Sequence, residues 1–66
     1  MASVKEIDDA MEALSEANLT EEGLQFLSGA VAAHAPGVIH ATLATLRRVA
    51  EREPERSIRY FKIPID

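Results

Sequence analysis

Cysteine is absent from the 66 residues, which excludes disulfides and thiolate metal sites. His34 and His40 are the only histidines. They fall six residues apart across a turn signal, not at the i, i+4 spacing of helical zinc sites, so no metal is expected. Gly23, Gly29 and Gly37 stand singly, which leaves no glycine-rich phosphate loop and no cofactor expectation. Ser3, Ser15, Ser28 and Ser57 lack the setting of an activated nucleophile, and catalysis is not expected. No apolar run approaches the ~20 residues of a membrane span. The first residues lack a basic and then apolar leader pattern. A cytoplasmic location without membrane contact is the expectation.

What remains is an ordinary globular composition, with 47% hydrophobic and 27% charged residues. A chain this short buries only about 60% of the surface its unfolded form exposes, and it normally needs a staple, a partner or tight helix packing. The net charge of −4 is unevenly distributed. Residues 1–33 hold Glu6, Asp8, Asp9, Glu12, Glu16, Glu21 and Glu22 against Lys5 alone. Residues 34–66 are net basic, with Arg47, Arg48, Arg52, Arg56, Arg59 and Lys62. Such polarity can steer head-to-tail self-association, although charge runs usually only keep helix faces solvated. Asp8–Asp9 and Glu21–Glu22 are helix neighbours whose side chains diverge, which suits dipole compensation better than acid–base chemistry.

The pattern predicts one all-α domain over 1–66, with three helices at about 4–17, 20–35 and 38–53 and an extended arm at 57–66. Ser3 and Glu6 form a capping box for the first helix. Val4, Ile7, Met11 and Leu14 form a narrow, coiled-coil-like seam on it. Thr20 caps the second helix, with Leu19 and Leu24 placed for a hydrophobic staple. Leu24, Phe26, Leu27, Ala30 and Val31 cover a broad arc, as in a central helix, and Pro36 ends it. Ile39, Leu43, Leu46 and Ala50 give the third helix its inner face, and Arg47, Arg48 and Arg52 suit the negative end of its dipole.

The arm alternates Phe61, Ile63 and Ile65, which suits a β-strand, with Pro64 confining it to an edge. A short helix from Pro54 to Phe61 is the competing reading, with Pro54 at its first position. A lone strand has no evident partner within the chain, which points to a second copy. The expected function is therefore non-catalytic protein–protein association as a homodimer, in a small regulatory or adaptor role. Its interface is expected at Val4, Ile7, Met11, Leu14, Ile58, Tyr60, Phe61, Ile63 and Ile65, with Tyr60, Phe61 and Ile63 as anchors. The competing expectation folds the arm back as the lid of a monomer.

Two nucleic-acid-related alternatives stand beside it. Residues 30–48 loosely follow a helix-turn-helix pattern around Pro36–Gly37, with His40, Thr45, Arg47 and Arg48 as candidate DNA contacts. An acidic net charge opposes phosphate binding. The acidic first half also suits an inhibitor that mimics nucleic acid.

Overall fold

A computed structural model describes residues 2–63. Among the described residues there are five helices and no extended strand: α1 (Val4–Glu16), α2 (Glu21–Gln25), α3 (Ser28–Ala32), α4 (Pro36–Arg52) and α5 (Pro54–Tyr60). α4 is the organising element, and α1, α3 and α5 all pack against it. α5 also meets α2.

α1 begins where the capping box places it. The Ser3 hydroxyl accepts from the Glu6 amide at 3.2 Å, and the Ser3 amide donates to the Glu6 carboxylate at 3.5 Å. Its inner face is centred on Ala10, which is fully buried, with Leu14 buried and Ile7 half-buried beside it. The expected seam is thus rotated: Val4 and Met11 lie on its outer flank, 75% and 40% exposed. An alanine at the contact lets a neighbouring helix approach more closely than a methionine does, and it sets which stripe faces inward.

The expected second helix, 20–35, is two helices. At Phe26 and Leu27 the amides bond three residues back, to Gly23 and Leu24, instead of four. The Ser28 hydroxyl donates to the Gln25 carbonyl at 3.1 Å, satisfying a group near the break. The tightened turn buries Leu27 completely and lets α2 and α3 serve different neighbours. Leu19 is buried while Leu24 is 42% exposed, so the two do not share a sheltered staple.

The reversal into α4 lies at residues 33–35, earlier than the Pro36–Gly37 turn expected from sequence. His34 takes the left-handed conformation, φ 52°. Its amide bonds Val31 at 3.1 Å, and the Ala35 amide reaches Ala30 at 3.0 Å. These two bonds form the Schellman closure of a helix end. Pro36 then starts α4, where its missing amide hydrogen costs nothing.

The largest correction concerns the C-terminal segment. Residues 57–60, expected as part of an extended arm, belong to the helix α5, started by Pro54. The extended part is a single antiparallel bridge, and its partner is internal: Phe61 pairs with Leu19. The Thr20 amide donates to the Tyr60 carbonyl at 3.0 Å, and the Lys62 amide donates to the Asn18 carbonyl at 2.7 Å. Asn18, in the left-handed conformation at φ 52°, turns the chain out of α1 so that Leu19 can meet Phe61. The segment therefore finds its partner within the chain, in a loop too short to show a strand pattern of its own. Ile65 and Pro64 lie outside the described residues.

Candidate interaction surface

Thr20 is the junction of the closure. Its hydroxyl accepts from the Gly23 amide at 3.2 Å, capping α2, and donates to the Arg59 carbonyl at the end of α5. Glu22, in the first turn of α2, pairs with the Arg59 guanidinium at 2.8 Å. Gly23 passes so close beneath the Tyr60 carbonyl that a Cβ on it would lie 2.5 Å from that oxygen. The ring of Phe26 stands edge-on to Tyr60, with centroids 5.3 Å apart and planes at 81°. Tyr60 and Phe61 are 8% and 3% exposed. They join Leu14, Leu19, Leu27, Ile39, Leu43 and Leu46 in one core cluster.

The residues expected at an interface therefore divide. Leu14, Tyr60 and Phe61 are core residues of the single chain, and Ile7 is half-buried. Val4, Met11, Ile58 and Ile63 remain outside, at 75%, 40%, 68% and 68% exposure. Leu24, Phe26 and Val38 add 42%, 55% and 53%. The sequence placed Leu24 and Phe26 on an inward arc. The break at Phe26–Leu27 turns Leu27 inward and leaves these two exposed, and nothing in the hydrophobic spacing signals that break.

Charged side chains are exposed on α1 and α4 as well. Asp8, Asp9, Glu12 and Glu16 on α1 are exposed, as are Arg47, Arg48 and Arg52 on α4. Among the described residues none of these seven forms an ion pair; the pairs present are Arg59–Glu22 and Arg56–Glu53. The candidate DNA contacts His40, Thr45, Arg47 and Arg48 are all exposed. At about 100° per residue they spread over roughly 160° of α4, too wide for one reading edge. The Thr45 hydroxyl donates to the Ala41 carbonyl at 2.9 Å. Among the described residues no pocket opens, and no group of three His, Asp or Glu side chains gathers to hold a metal. Among the described residues no helix is long and apolar enough to cross a membrane. Compared with known protein families, curated proteins and solved structures, the chain matches none.

Proposed function

We propose that this chain works by binding protein, with self-association into a dimer as its primary form, in a small regulatory or adaptor role without chemistry of its own. The observation that carries the reading is the outward set Val4, Met11, Leu24, Phe26, Val38, Ile58 and Ile63, each at least 40% exposed. Single exposed aliphatics are ordinary on protein surfaces. Seven large apolar side chains among residues 2–63, an exposed phenyl ring among them, are more than a solitary domain of this size needs. Aromatic side chains also commonly dominate binding energy where a partner covers them. The helix-turn-helix alternative draws less support, because α3 has five residues and the net charge of −4 works against phosphate contact.

The test is sedimentation velocity of the intact chain over a wide concentration range, together with affinity capture from its source cells using wild type and a Met11→Ser/Phe26→Ser variant. The reading predicts concentration-dependent mass, or a recurrent captured protein that the folded variant loses. A chain that stays monomeric and captures nothing the variant fails to capture would overturn it.

A further inference from the structure

We infer that the outer stripe of α1 docks antiparallel on the outer stripe of α4 in a second copy of the chain. This deepens the proposed self-association and rests on that reading. Val4, Asp8, Met11 and Ser15 are all exposed and fall within about 60° of arc on α1. Val38, Ala41, Thr45, Arg48 and Arg52 are all exposed and fall within about 80° on α4. Both stripes repeat at the three-four spacing that lets helices interlock. They are opposite in sign: the first carries Asp8, with Glu12 at its edge, and the second carries Arg48 and Arg52. Neither set is neutralised by an ion pair among the described residues.

The fit is steric as well as electrostatic. Where Met11 lies against Thr45, antiparallel register sets Asp8 opposite Arg48, Ser15 opposite Ala41 and Val4 against the aliphatic stem of Arg52. Long Met11 thus falls among the small residues Ala41, Ala44 and Thr45. Thr45 can be covered without stranding a donor, because its hydroxyl already bonds the Ala41 carbonyl at 2.9 Å. Antiparallel packing also opposes the two helix dipoles favourably. The arrangement supplies the partner that each stripe lacks within its own chain, and a second copy necessarily carries both halves.

The test uses two variants of the full chain, Asp8→Lys/Glu12→Lys and Arg48→Glu/Arg52→Glu. All four positions are exposed, and circular dichroism checks that each variant stays folded. In the first variant both stripes are basic; in the second both are acidic. By sedimentation equilibrium each alone should self-associate at least about tenfold more weakly than wild type, through like-charge opposition. An equimolar mixture should regain association, since each stripe then finds its opposite on the other variant. Raising salt should weaken the wild-type dimer. A wild-type chain that is monomeric at about 1 mM, beyond the reach of weak binding, overturns both this docking and self-association. A wild-type dimer indifferent to both reversals, or a mixture that fails to recover, overturns the α1–α4 docking while leaving self-association through other residues in place.

Discussion

Gly23→Ala isolates the closure between α2 and the end of α5. Gly23 is helical and has no positive φ, so backbone strain is not what requires glycine there. Considered locally, alanine should stabilise the helix by up to about 1 kcal/mol. The structure opposes this. The new Cβ would lie 2.5 Å from the Tyr60 carbonyl oxygen, 3.3 Å from its carbon and 3.2 Å from a Leu19 methyl. Ordinary contact requires the Tyr60 segment to retreat by roughly 1 Å. That segment cannot retreat alone, because its carbonyl accepts the Thr20 amide at 3.0 Å and the adjoining Arg59 carbonyl accepts the Thr20 hydroxyl. Overpacking typically costs about 1–3 kcal/mol, and each weakened backbone bond adds about 0.5–1.5 kcal/mol. After the helical gain is subtracted, the expected loss is about 2 kcal/mol, or roughly 8–16 °C in Tm for a domain this small. The assay is thermal and urea unfolding followed by circular dichroism, with Gly29→Ala and Gly37→Ala alongside. Those two glycines are also helical, and a Cβ on either meets nothing within 4 Å. Both should hold or gain stability, by about 0.4–1 kcal/mol. If Gly23→Ala behaves like its two companions, the close approach is refuted.

The other expectations concern separate parts of the fold. His34→Gly relieves a left-handed residue at the α3–α4 reversal and should stabilise by about 0.5–1 kcal/mol in urea unfolding; a loss would show that the imidazole makes a compensating contact. Phe61→Ala empties a site that is 3% exposed and should destabilise by about 3–5 kcal/mol, read as a large drop in the urea midpoint. Ile63→Ala, at 68% exposure, should leave the monomer's stability within about 0.5 kcal/mol. Ser3→Ala removes the capping box and should cost about 1 kcal/mol, read as the same unfolding midpoint.

The helix starts were legible because their chemistry is local. Ser3 with Glu6, and Thr20 ahead of two glutamates, announce α1 and α2 within four residues. The inner face of α4 was legible in the spacing of Ile39, Leu43, Leu46 and Ala50, all buried. What the sequence hid depends on contacts between distant segments. Leu19 is one residue of a loop, and only its meeting with Phe61, 42 positions later, makes either part of a bridge. That meeting also reassigns Tyr60 and Phe61 from expected interface anchors to core. The break in the 20–35 helix was hidden for a similar reason: Gly29 is a weak helix former, but what fixes the kink is the burial of Leu27. At the surface, Val4 and Met11 were visible as apolar, and only the burial of Ala10 shows that they lie outside the packed stripe.

Amide hydrogen exchange at Lys62, resolved by NMR, tests the internal closure most directly. Its N–H donates to the Asn18 carbonyl at 2.7 Å on a residue whose side chain is exposed, so slow exchange would come from the bond and not from general burial. The expected result is exchange slowed at least about a hundredfold relative to an unstructured peptide, corresponding to local opening that costs some 3 kcal/mol, with the Thr20 amide protected alongside it. Exchange of Lys62 at the free-peptide rate, while the α4 amides stay protected, would show that the chain does not close on itself there.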